Sequence, residues 1–335
     1  MEKRERLYYL DFIRAIGTII IVLTHYNAIF LYTNPQMPEK AVISTTIAGI
    51  YIGNFGVALF LIISGAALMY VYKEKIDIKT FYIKRFWNIY PTFWIAFAIM
   101  FLTKFYFFGF PTGTAKWRII FSILGIDHYL GAHGISTFAS VGEWFLGFII
   151  IFYLIFPLVR YAMIRFPKWT AIISIFLYIL VIWIQPTAYH ISLFTLLPLI
   201  LFGMYFVYYG KTVSMPIAIV SLIIMIGNGI IKPSINESIQ QTYIGICAFL
   251  FLVFVSKYFK WNPIPKVANL ICKYSYTIFI VHHVITLYMA QKFDLYTMTR
   301  TDSYMLFLCC CCVIFVVAYL VQRLERAAVA LIKNK

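Results

Sequence analysis

Apolar residues come along this chain in blocks of about 20, the number a helix needs to cross the hydrocarbon layer of a bilayer. Ten blocks stand out, at residues 9–32, 47–72, 89–108, 143–163, 169–186, 190–209, 214–231, 242–258, 270–290 and 303–322. Polar stretches and prolines punctuate their ends, among them Pro111, Pro167, Pro186, Pro216 and Pro263. The pattern predicts an all-α polytopic bundle of about ten transmembrane helices. The blocks that begin near 190 and 214 are short and close together. The longest connection, 109–142, contains KWRIIFSILGIDHYLGAHG, which reads either as a short amphipathic helix at the outer interface or as a lid over a cavity. No internal repeat or low-complexity segment is visible. The expectation is one membrane-embedded domain over 1–335, without a soluble domain at either end.

Composition agrees with the blocks. The 335 residues are 63% hydrophobic and 12% charged, against about 25% charged in soluble domains. A net charge of +16 invites a nucleic-acid reading, but the basic residues sit in short clusters between apolar runs, so no nucleic-acid partner is expected. They fit the positive-inside rule instead. With the N-terminus placed in the cytoplasm, Lys40, Lys104, Lys116, Arg118, Lys232, Lys292 and Arg300 fall outside, and the other 21 of the 28 Lys and Arg residues fall inside. That bias predicts both termini in the cytoplasm. The start MEKRER is basic, but no small-residue cleavage site follows the apolar run, so no cleaved signal is expected. Cys309 to Cys312 point in four directions on a helix, about 100° apart, and cannot converge on one metal.

Charged and ionisable side chains inside such blocks carry the functional signal. Arg14 and His25 lie on one helix face, within about 20° of each other and about 16 Å apart along the axis. Asp11, three residues before Arg14, is placed to pair with it. Two readings stay open: an interfacial ion pair with a packing histidine, or working groups. An ionisable residue within a membrane is first a functional hypothesis, and histidine is the usual general base near neutral pH.

The segment YIKRFWNIYP, residues 82–91, reads either as a positive-inside anchor or as an anion-binding mouth in which Lys84 and Arg85 take phosphate. Gly56, Ser64, Gly65, Ala66 and Ala67 form a small-residue strip, suited to close helix packing or to a slender ligand. Glu143 and Trp144 open the fourth span as an interfacial anchor or as substrate contacts. His282 and His283 are adjacent, so at most one is expected to face a given site. His128 and His133 are loosely spaced and neither HxxEH nor HExxH occurs, so no metal is expected.

Taken together, these segments resemble the integral-membrane acyltransferase 3 family. LDFIRAIGTIIIVLTH is similar to its first-span signature, with Arg and His separated by ten residues; FGVALFLIISGAAL to its second-span ISG motif; and YIKRFWNIYP to its basic RxxRxYP-like loop. WFLGFIIIFYLIFPL is similar to its WFL…FYLxxPL segment and SYTIFIVHHVI to its late SYxIYLxH segment, in the same order across nearly the whole chain. Asn88 stands where the loop motif usually has a second arginine, and Ile149 and Ile150 where many relatives are acidic. The resemblance implies a divergent, polysaccharide-modifying branch without the extracytoplasmic hydrolase-like domain of some relatives.

The resemblance also implies a ten-helix core in the bacterial cytoplasmic membrane. It would move an acyl group, usually acetyl, from cytoplasmic acyl-CoA to a sugar hydroxyl on a cell-surface or lipid-linked polysaccharide. His25 is then the catalytic histidine and Arg14 a functional arginine. Lys84 and Arg85, with Arg14, are the candidates for acetyl-CoA, with succinyl-CoA as an alternative donor. Glu143, Trp144, His282 and His283 are the candidates for the acceptor. A glycan exporter, or an assembly subunit of a surface-polymer machine, fits the spans and buried charges as well.

Overall fold

The structure is a computed structural model that describes residues 6–108, 114–138, 141–185 and 192–333. Lys3, Arg4, Pro111, Pro186, parts of the 109–142 connection and the start of the block predicted from 190 lie outside the described residues.

Among the described residues the chain forms twelve α-helices. They are α1 (Tyr8–Leu31), α2 (Ile52–Tyr72), α3 (Ile78–Phe108), α4 (Ile119–Leu124), α5 (Asp127–Ala132), α6 (Trp144–Arg165), α7 (Pro167–Ile184), α8 (Leu193–Tyr208), α9 (Met215–Ile231), α10 (Glu237–Val255), α11 (Ile264–Ala290) and α12 (Arg300–Lys333). Ten of these correspond to the ten apolar blocks, so the all-α polytopic expectation holds. Eight are long and apolar enough to cross a membrane, while α8 and α9 are shorter, at 16 and 17 residues. A small antiparallel hairpin, Thr46–Ile47 with Ile50–Tyr51, occupies the start of the block predicted from 47.

Local chemistry explains the helix ends. Ser192 caps α8 by accepting from the Thr195 N–H at 3.2 Å, and Asn236 caps α10 by accepting from the Ser238 N–H at 2.9 Å. Pro167 and Pro216 sit in the first turns of α7 and α9, where the missing N–H costs nothing. The largest departure from expectation is α3, which starts at Ile78 rather than 89 and runs straight through Pro91. An internal proline removes one backbone hydrogen bond, a loss that membrane helices tolerate. The YIKRFWNIYP segment is therefore helix, not loop.

The chain sorts into two compact units, each built from separated segments. One comprises the described residues of Met1–Thr24, with Ile43–Lys75 and Arg160–Ser275. Its tightest seam is α2 against α8. A Cβ on Gly65 would lie 2.1 Å from the Ile200 carbonyl oxygen, and one on Gly203 would lie 2.0 Å from that of Ile62. The small-residue strip is therefore backbone packing, which leaves no room for a slender ligand at Gly65. Overpacking a core costs about 1–3 kcal/mol, and here the obstructing atoms are backbone. Gly203→Val is accordingly expected to lower the thermal unfolding midpoint of the purified protein by several degrees or to prevent its accumulation; an unchanged midpoint would contradict the seam. The same unit contains Arg160, whose guanidinium donates to the Tyr72 and Lys73 carbonyls at 2.5 and 3.1 Å and so closes the C-terminus of α2.

The other unit comprises His25–Val42, Ile76–Val159 and the described residues of Tyr276–Lys335. Here α3 is tied to α6 by Tyr82, whose hydroxyl donates to the Leu154 carbonyl at 2.7 Å, and to α11 by Tyr276, which donates to the Ile89 carbonyl at 3.0 Å. The connection before α6 folds back along α3. Trp94, near the middle of that 31-residue helix, donates to the Ile123 carbonyl at 2.8 Å, and Tyr90 to that of Leu124 at 3.2 Å. Gly147 makes the approach to α6 feasible, since a Cβ there would lie 2.6 Å from that of Tyr129. Asp127 is buried in this turn beside the Ser122 hydroxyl, 2.9 Å away, and burial pushes its carboxyl up to about 6.

The outward faces are apolar. Trp183 on α7 and Ile230 on α9 are 78% and 76% exposed, as expected of lipid-facing side chains. Cys309 and Cys312 are exposed on α12 while Cys310 is buried, so the run does point in different directions.

Candidate active site

His25 begins the second unit's share of α1, and its neighbours fix it there. Tyr26 is fully buried and donates to the Ser303 carbonyl on α12 at 2.6 Å. Asn27 accepts from the Val42 N–H at 3.0 Å. With the next two residues anchored, the imidazole of His25 is held toward α11.

On α11 both adjacent histidines meet it. The ring centroids of His282 and His283 lie 4.8 and 4.6 Å from that of His25, at interplanar angles of 72° and 39°. The expectation that at most one of the pair faces a given site is therefore corrected. Their side chains do diverge, with ring centroids 6.4 Å apart, but His25 sits where it touches both. His282 is fully buried. Its Nδ1 donates to the Phe279 carbonyl at 2.9 Å. Because a carbonyl only accepts, the proton sits on Nδ1 and the lone pair on Nε2. That Nε2 is buried and has no hydrogen-bond partner.

Glu143 completes the group from the turn before α6. Gly142 adopts φ +79°, a left-handed conformation natural to glycine, and its N–H donates to the Ile280 carbonyl at 3.2 Å. This bond sets the next residue against α11, where the Glu143 carboxylate pairs with His283 Nδ1. Glu143 keeps 11% of its side-chain exposure and His283 keeps 32%, so the group is enclosed but reachable. One ligating atom from each of His25, Glu143 and His283 lies within 4.8 Å of the others. A carboxylate that close stabilises positive charge developing on an imidazole.

The remaining candidates are placed separately. Trp144 opens α6 and packs edge-on against Phe145 at 6.0 Å. Lys84 is exposed on α3. The Arg85 guanidinium lies over the rings of Phe81 and Tyr153, 5.7 and 5.5 Å from their centroids, and its Nε is buried without a hydrogen-bond partner. Such an unpaired donor suits an anionic oxygen.

Arg14 belongs to the first unit, two residues above Phe12 on α1, and its carbonyl accepts from Thr18 Oγ1 at 2.9 Å. The expected Asp11–Arg14 pair does not form: Asp11 pairs with Arg6. The Asp11 carboxylate is taken instead by a residue that precedes the helix. Among the described residues Arg14 has no carboxylate partner.

Sequence reasoning missed Gly142 and Tyr26, which place the site without joining its chemistry. It also missed the convergence of Glu143 with the histidines. No spacing signal carries that convergence, because the partners lie on α1, before α6 and on α11.

A family model described as an acyltransferase domain matches residues 7–323. No curated protein and no solved structure matches the chain.

Proposed function

The chain belongs to the acyltransferase 3 family, and from that premise we propose that it transfers an acyl group, acetyl in the first instance, from acyl-CoA to a sugar hydroxyl of a cell-surface or lipid-linked polysaccharide. It is a multi-pass membrane protein; the reading places it in the bacterial cytoplasmic membrane with the donor on the cytoplasmic side. The observation that carries the proposal is the grouping of His25 with Glu143 and His283 within 4.8 Å.

His25 accepts the proton of the acceptor hydroxyl as its oxygen attacks the thioester carbonyl. The carbon–oxygen bond forms, the carbon–sulfur bond breaks, and the imidazolium returns the proton to the departing thiolate. The Glu143 carboxylate stabilises the imidazolium in between, and His283 holds that carboxylate in place. His282 Nε2, a buried lone pair, accepts a hydrogen bond from the sugar. Positioned base catalysis contributes about 10²–10⁴-fold. Alignment of two substrates contributes further.

Lys84 and Arg85 on α3 take the phosphates of the donor, Arg85 through the Nε that has no protein partner. Arg14 is kept as a functional arginine, on its match to the family's first-span motif. The test is purified protein with acetyl-CoA and an oligosaccharide acceptor. Thiol release that depends on acceptor is expected. Absence of release under conditions that support glycan movement across vesicles would favour an exporter and overturn the reading.

A further inference from the structure

We propose that His25, Glu143 and His283 also form a binding site for a divalent transition-metal cation of the Zn²⁺ class, and that this cation competes with the acceptor hydroxyl. Two imidazoles and one carboxylate are a donor set that suits zinc and its neighbours; Mg²⁺ and Ca²⁺ prefer all-oxygen surroundings. The three ligating atoms already lie within 4.8 Å of one another. Zn²⁺ holds nitrogen and oxygen at about 2.0–2.2 Å, which sets tetrahedral neighbours roughly 3.4 Å apart. Side-chain rotation of about an ångström would draw His25 in and part the Glu143 carboxylate from His283 to that spacing. The contact between Glu143 and His283 is held by a proton, and a cation would take that proton's place and release it. His283, 32% exposed, leaves the group reachable from outside.

His282 borders the group without joining it: its Nδ1 donates to a backbone carbonyl, and its buried Nε2, which has no protein partner, sits on a ring 4.8 Å from that of His25. The linear sequence carries no metal motif because the three ligands come from three distant segments.

Competition with catalysis rests on the proposed base role of His25; binding of the ion does not. The lone pair that the metal would occupy is the one the base needs, so Zn²⁺ should inhibit transfer.

The experiment uses the full-length protein in detergent, stripped with chelator and titrated with Co²⁺ and then Zn²⁺. One visible-absorbing Co²⁺ per chain, displaced by Zn²⁺, is expected. Glu143→Gln and His283→Gln should each weaken binding by at least about 100-fold, while His133→Gln, outside the group, should not. No binding by the wild type, or wild-type affinity in both site variants, overturns the proposal. Should the variants fold poorly, the wild type decides: Zn²⁺ should protect His25 and His283 from diethyl pyrocarbonate, and undiminished labelling overturns the site. Protection without inhibition of transfer would leave the metal site standing and remove the base role instead.

Discussion

Replacing His25 by alanine is expected to lower acylation of the surface glycan by about 10²–10⁴-fold, the contribution of a positioned base, while leaving the protein in the membrane at normal abundance. The two halves of that expectation come from different contacts. The chemistry resides in the imidazole, which meets the His282 and His283 rings and lies near Glu143. The anchorage of this turn of α1 resides in Tyr26 and Asn27, which bond to Ser303 and Val42 and are untouched by the substitution. Mass spectrometry of the glycan, with immunoblotting of membranes, reads both. His25→Asn, which keeps a polar side chain of similar volume, guards against a packing defect. Full acylation by either variant would remove the histidine from the mechanism.

Glu143→Gln is expected to reduce kcat by roughly 10²–10³-fold, the scale seen when one preorganised electrostatic group is removed, with the KM for acyl-CoA unchanged. The amide keeps the shape and an accepting oxygen for His283, so the turn held by the Gly142–Ile280 bond stays in place. What is lost is the negative charge that stabilises the imidazolium. Donor phosphates are assigned to Lys84 and Arg85 on α3, hence the unchanged KM. Steady-state kinetics separates the two constants. A raised KM with unaltered kcat would make Glu143 a donor contact and not a partner of the base.

Much of the architecture could be read from hydrophobic periodicity, because a bilayer leaves a helix few alternatives: ten apolar blocks became ten helices. Boundaries were harder. The start of α3 is written in residues such as Lys79, Lys84 and Arg85, whose charge hides helix from a hydropathy reading. His25 and Arg14 could be picked out because an ionisable side chain in an apolar run is costly and conspicuous. The partners of His25 could not, because convergence of α1, α11 and the turn before α6 depends on long-range contacts such as Gly142 with Ile280 and Tyr26 with Ser303. Asp11 shows the limit of spacing rules. Spacing put Arg14 in reach, yet the carboxylate pairs with Arg6, which lies before the helix begins.

The claim on which the mechanism turns is that His25 and Glu143 act as one unit. Residues that act together are strongly non-additive when removed together. The decisive measurement is therefore the transfer rate of the purified His25→Ala/Glu143→Gln double variant beside the two single variants. The double variant should be no slower than His25→Ala alone, since a carboxylate has no imidazolium left to stabilise. A double variant slowed by the product of the two single losses would show two independent effects and contradict the account.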